Sequence, residues 1–99
     1  MKRETLFKEK VVKKLKEFGE DVYFTKIQQV SKLGDLDIHM CIRGRFIAWE
    51  LKTDDGVESK LQKYVATKIR KAGGVAMLVT PSNLNESLGY IRKVLSNLE

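Results

Sequence analysis

One cysteine in 99 residues, Cys41, excludes an internal disulfide and makes a reducing compartment the simpler expectation. Flanked by Met40 and Ile42 in an apolar run, it reads as a buried, inert thiol rather than a nucleophile. One histidine, His39, leaves no His/Cys cluster of the kind that binds zinc. No apolar stretch approaches the roughly 20 residues that span a bilayer. The first residues, Met-Lys-Arg-Glu-Thr-Leu-Phe-Lys, lack the apolar segment of a signal peptide. The expected location is therefore cytoplasmic (the host cytoplasm for a phage-encoded chain), with no membrane partner. Repeats, low-complexity tracts and linkers are also missing, as are helix-turn-helix, zinc-finger and RNA-binding signatures, so base-specific reading is not expected.

What is present is a hydrophobic fraction of 42%, enough for the core of one domain covering residues 1–99. Nineteen Lys and Arg against thirteen Asp and Glu leave a net charge of +6. Such a balance favours a polyanionic partner, because each neutralised phosphate releases condensed counterions. Lysine-rich solvated helix faces give the same count, so charge alone does not decide the matter.

Apolar residues recur at Phe7, Val11, Leu15 and Phe18, predicting a helix over 3–18 that stops at Gly19. Residues 22–30 are β-branched and aromatic enough for a strand. Residues 35–42 alternate, with Leu36, Ile38, Met40 and Ile42 on one face, and Arg43-Gly44 is a tight turn into a returning strand over 45–52. Ser59 caps a helix running to about residue 72, ended by Gly73-Gly74. A short buried strand follows over 75–79, and then a helix with its stripe at Leu84, Leu88, Ile91, Leu95 and Leu98. The expected order is α-β-β-β-α-β-α: an α/β fold in which three antiparallel strands, extended by a fourth after a helical crossover, form a mixed four-stranded sheet flanked by helices.

The chemistry concentrates between Gly34 and Lys52. Glu-x-Lys is weak on its own, since eight Glu and fourteen Lys predict about one such triplet by chance. A second one, Glu58-Ser59-Lys60, lies at a loop-to-helix junction. Glu50 and Lys52 instead end an apolar strand, and alternation puts both on one face. The plain alternative is a surface ion pair at a strand end. With Arg43-Gly44 as the turn, Ile42 pairs with Arg45 and Asp37 falls opposite Glu50, roughly 4.5–5.5 Å away at Cα. Two carboxylates so placed repel unless a cation lies between them, and their hard oxygens suit Mg²⁺ or Mn²⁺. Asp35 reads as an ordinary turn carboxylate.

Gly34, Asp37, Ile38, Glu50, Leu51, Lys52, Gly56, Ser59 and Gln62, with Ala72-Gly73-Gly74 before the last strand, resemble the VRR-Nuc family of the PD-(D/E)xK nuclease superfamily. The resemblance spans essentially the whole chain and implies a restriction-endonuclease-like core. One departure stands out: the family usually has proline immediately before the aspartate, where this chain has Leu36. By resemblance, Asp37, Glu50 and the Leu51 backbone carbonyl are metal ligands. Lys52 orients the attacking water or stabilises developing charge, and Gln62 assists. Gln62 also completes a capping box with Ser59 as written. The family's helix-1 glutamate is Glu4 or Glu9. Measured at 100° per residue from Glu4, the apolar stripe lies within about 60° while Glu9 lies about 140° away, which favours Glu4.

The expected activity is metal-dependent hydrolysis of DNA phosphodiesters. Stand-alone members of the family resemble Holliday junction resolvases, which implies branched DNA as substrate and a homodimer as the working form. Lys8, Lys13, Lys60 and Lys63 are candidates for phosphate contacts. The alternatives are a nicking or flap nuclease, a catalytically silent DNA-binding module of the same fold, and a ribosome-associated basic domain that explains only the charge.

Overall fold

The computed structural model describes residues 2–27 and 34–97. Helix α1 (Arg3–Lys16) forms because Phe7, Val11 and Leu15 fall on one face, and all three are buried. It ends two residues earlier than the periodicity predicts. Gly19, at φ +66°, then opens a single 3-10 turn, Gly19–Asp21. Four strands follow the expected order: β1 (Tyr23–Lys26), β2 (Ile38–Ile42), β3 (Arg45–Leu51) and, after helix α2 (Lys60–Lys71), β4 (Val75–Val79). Helix α3 (Leu84–Ser96) comes last. The strand expected over 22–30 is regular only across β1, and residues 28–30 lie outside the described residues, as does Leu98.

The sheet order is β1-β2-β3-β4. The first three strands are antiparallel neighbours, and β4 joins β3 in parallel. This is the mixed α/β arrangement that a hairpin followed by a helical crossover requires. The hairpin has the expected register, Ile42 opposite Arg45, with Arg43 at φ 55° and Gly44 at φ 81°. Two successive left-handed residues match the twist of the flanking strands. Helix α2 ends in a paired set of backbone bonds, Gly73 N–H to the Arg70 carbonyl and Gly74 N–H to that of Ile69.

The two faces of the sheet are covered unequally. On one face α1 and α3 pack Phe7, Val11, Leu15, Leu84, Leu88 and Ile91 against Ile38, Met40, Ile47, Trp49 and Leu51. Each such buried side chain contributes about 1.5–3 kcal/mol. On the other face α2 covers a smaller cluster, Leu36, Ala48, Ala66 and Ala76. Two expectations change as a result. Leu36 does not share a face with Ile38, because it precedes β2 and turns toward α2. Cys41 is exposed, not buried. It stands in register between Tyr23 and Phe46, on the face that α2 covers only over β3 and β4. No helix among the described residues is long and apolar enough to cross a membrane.

Candidate active site

Asp37 stands one position before β2 and is fixed from both sides. Its carbonyl accepts from Ile27 N–H at 2.8 Å, and its Oδ2 accepts from Leu51 N–H at 2.7 Å. Continuing the Ile38–Trp49 register by one residue sets it opposite Glu50, as the hairpin arithmetic requires. Gly34 explains how the preceding loop reaches this position. It adopts φ +79°, and a Cβ there would lie 2.7 Å from the Leu61 side chain and backbone. Only glycine lets the loop sit against the first turn of α2.

Glu50 is 1% exposed. Lys52 Nζ lies 3.4 Å from its Oε2, an ionic contact without hydrogen-bond alignment. Neither carboxylate oxygen has a hydrogen-bond partner among the described residues. Burial above all, and next the charge of Asp37, push its pKa up to about 7, with Lys52 pulling the other way. Lys52 is held in place by the loop behind it. Gly56 folds back to where a Cβ would meet the Lys52 stem at 3.2 Å. Asp54 in that loop accepts from the Ser82 hydroxyl and N–H, and Asp55 from the Thr53 hydroxyl and Arg3. These bonds hold both aspartates below their ordinary pKa.

Helix α1 brings Glu4 and Lys8. Lys8 Nζ lies 3.3 Å from Glu4 Oε2 and 3.6 Å from Asp37 Oδ1, so an ammonium bridges the two acids. Partial burial opposes its charge, but the Asp37 and Glu4 carboxylates outweigh that and raise its pKa. Lys8, expected as a phosphate contact, is therefore part of the acid cluster. The signal was present in the sequence as a Glu–Lys pair four residues apart on a helix. From the opposite face comes Gln62. Its Oε1 accepts from Ser59 N–H at 3.0 Å while its own N–H bonds Ser59 Oγ, completing the capping box. That leaves the Gln62 amide NH₂ as the group able to serve the site.

Glu4, Lys8, Asp37, Glu50, Leu51, Lys52 and Gln62 all line one cavity of about 260 Å³ at the carboxyl end of β3. A second, larger cleft of about 470 Å³ between α1 and β1 shares Lys8, Ile27, Asp37 and Leu51 with it, and adds Lys13, Lys16 and Lys26. Lys26 was not expected there. Glu9 lines this cleft and not the acid cavity, whereas Lys60 and Lys63 are exposed on α2 and line neither.

No group of three or more His, Cys, Asp or Glu side chains among the described residues forms a ready metal cage. The donors nevertheless fit a hard divalent ion. Mg²⁺ typically uses one or two carboxylates and keeps several waters, and Glu50 presents two buried oxygens lacking hydrogen-bond donors. Compared with known proteins, the chain matches no family model, no curated protein and no solved structure at a significant level.

Proposed function

We propose that this protein is a metal-dependent DNA endonuclease of the VRR-Nuc type with a restriction-endonuclease-like core, acting on branched DNA as a homodimer in the cytoplasm. The observation that carries the reading is the convergence of Glu4, Asp37, Glu50, Leu51, Lys52 and Gln62, drawn from five separate elements and loops, on one cavity. A fortuitous strand-end ion pair does not require the other four.

Asp37, Glu50 and the Leu51 carbonyl are the oxygens that would hold Mg²⁺ or Mn²⁺, with Glu4 directly or through water. When bound, such an ion lowers the pKa of coordinated water and polarises a phosphoryl oxygen. The remaining work falls to the chain. The Leu51 N–H fixes the Asp37 carboxylate before substrate arrives. Lys52, partly buried and held by Glu50, presents an ammonium where negative charge develops on the phosphate. Lys13, Lys16 and Lys26 line a cleft that leads a phosphate backbone to the cavity. A two-fold junction cut twice suits a C₂ dimer.

One observation favours a second reading, a silent DNA-binding module: Lys8 already neutralises Glu4 and Asp37. The test is incubation with labelled four-way junction, flap, nicked and linear duplex DNA in Mg²⁺, Mn²⁺ or EDTA, beside a Lys52→Ala variant. Paired, metal-dependent cuts across the junction, lost in the variant, support the resolvase-like nuclease. Binding without cleavage in every metal supports the silent module.

A further inference from the structure

A groove of about 730 Å³ runs along the flank of α2, between that helix and the start of β3. Phe46, Leu61, Tyr64, Lys68 and Ile69 line it, with Gly74 among the lining residues at its far end. Three of these apolar side chains are unusually open: Tyr64 is 60% exposed, and Phe46 and Leu61 are each 41% exposed. Isolated exposed hydrophobes need no explanation, but several gathered in one concave strip mark a binding surface. The strip is also shaped by a small residue. A Cβ on Gly74 would stand 3.2 Å from the Phe46 ring, so its absence lets that ring lie against the groove.

The charge beside the groove identifies the occupant. At 100° per residue Lys60, Tyr64, Lys68 and Lys71 fall within about 80° of one another on α2, and all four are exposed. Lys68 Nζ lies 5.4 Å from the Tyr64 ring centroid, which pairs a cation with an aromatic surface in the groove wall. A second copy of this chain would set one lysine stripe against another if two such grooves met face to face. A strand carrying both phosphates and planar bases matches a lysine stripe with Tyr64 set within it and Phe46 exposed across the groove, the combination of cations and stacking surfaces by which single strands are held without sequence preference. Duplex DNA has no unstacked bases to offer such a strip.

Position adds a consequence. Asp35 borders both this groove and the cavity at the end of β3, and Leu61 in the groove is followed by Gln62 in the cavity. The lysine-lined cleft beside α1 reaches the same cavity from the other face of the sheet. We infer that the α2 groove binds an unpaired stretch of DNA, so that the substrate is splayed at the cavity, with duplex phosphates along α1 and a single strand along α2. This rests on DNA as the partner but not on cleavage.

The experiment is fluorescence anisotropy of labelled oligo(dT), oligo(rU) and a duplex of equal length, all in EDTA. The intact protein is compared with Tyr64→Ala, Tyr64→Phe and Lys68→Ala, and circular dichroism confirms folding of each. Tyr64→Ala is expected to weaken oligo(dT) binding about tenfold, with Tyr64→Phe close to the intact protein and duplex binding unchanged, since stacking supplies that much per base. Equal oligo(dT) binding by Tyr64→Ala overturns the proposal. So does much tighter binding of oligo(rU), which would assign the groove to RNA, or Tyr64-dependent self-association by light scattering, which would assign it to a second copy. Because binding is read without metal, failure here leaves the cleavage reading intact, and failure of cleavage leaves groove binding measurable.

Discussion

The backbone N–H of Leu51 points at Asp37 Oδ2 from 2.7 Å, joining the acid before β2 to the residue between Glu50 and Lys52. One bond thus fixes the Asp37 carboxylate against the end of β3. Asp37→Asn keeps an oxygen for that bond while removing the charge. It is expected to fold with a Tm within a few degrees of the parent but to lose cleavage by about a hundredfold or more. Gel assays with Mg²⁺, beside a thermal melt, check both parts. Cleavage retained in this variant would remove Asp37 from the mechanism.

Glu50 gives a pH dependence whose sign follows from its raised pKa. Its ordinary value of 4.5 becomes about 7 in the folded protein. The folded state therefore binds a proton more tightly than the unfolded chain. The resulting stabilisation is full below about pH 4.5 and is lost as pH rises through about 7, with an upper limit of about 3 kcal/mol. In EDTA, the Glu50→Gln variant should show a flatter stability profile than the parent across this window. Urea melts followed by the fluorescence of Trp49, the sole tryptophan and fully buried, provide the measurement.

Removing the Lys8 ammonium should act in opposite directions on stability and metal affinity. Lys8→Met loses its contacts with Glu4 and Asp37, which are partly exposed and worth roughly 0.5–1 kcal/mol. It also removes a cation that competes for the same carboxylates. Mn²⁺ titration followed by electron paramagnetic resonance should show several-fold tighter binding. Weaker binding would mean that Lys8 orients the acids rather than competing for them.

Ser59 and Gln62 share one capping box, so a pair of variants separates capping from site chemistry. Ser59→Ala is expected to cost about 1 kcal/mol of stability with little change in cleavage. Gln62→Ala should cost a similar amount and also slow cleavage, because Gln62 alone of the two lines the cavity. Equal rates in the two variants would reduce Gln62 to a cap.

Gly34→Ala tests the loop that carries Asp37. The added methyl requires a strained φ and meets Leu61 backbone atoms at 2.7–2.8 Å. A loss of about 2 kcal/mol or more is expected by chemical denaturation.

The parts of this molecule that were readable from its sequence are those set by local chemistry. Arg43-Gly44 fixed the hairpin register, which placed Asp37 opposite Glu50 by counting alone. Ser59 and Gly73-Gly74 marked both ends of α2 for the same reason. What escaped depends on which element covers which. Cys41 sits in an apolar run, yet α2 leaves its row of the sheet uncovered, Phe46 beside it being exposed as well, and no local pattern reports which part of a sheet a helix covers. Leu36 keeps the alternation but precedes the strand, where the chain no longer holds the strand's faces. Lys8 read as a candidate phosphate contact until Asp37, 29 positions away, came within 3.6 Å.

Cys41 also provides a ready-made reporter. As the sole thiol and an exposed one, it accepts a maleimide dye at a single defined position without any engineered cysteine. The label would sit on the open part of the sheet, in the row that runs from Tyr23 through Cys41 to Phe46, next to the wall of the α2 groove. The native chain therefore permits distance measurements to a labelled DNA end, and oxidative cross-linking to a neighbour, from the same atom.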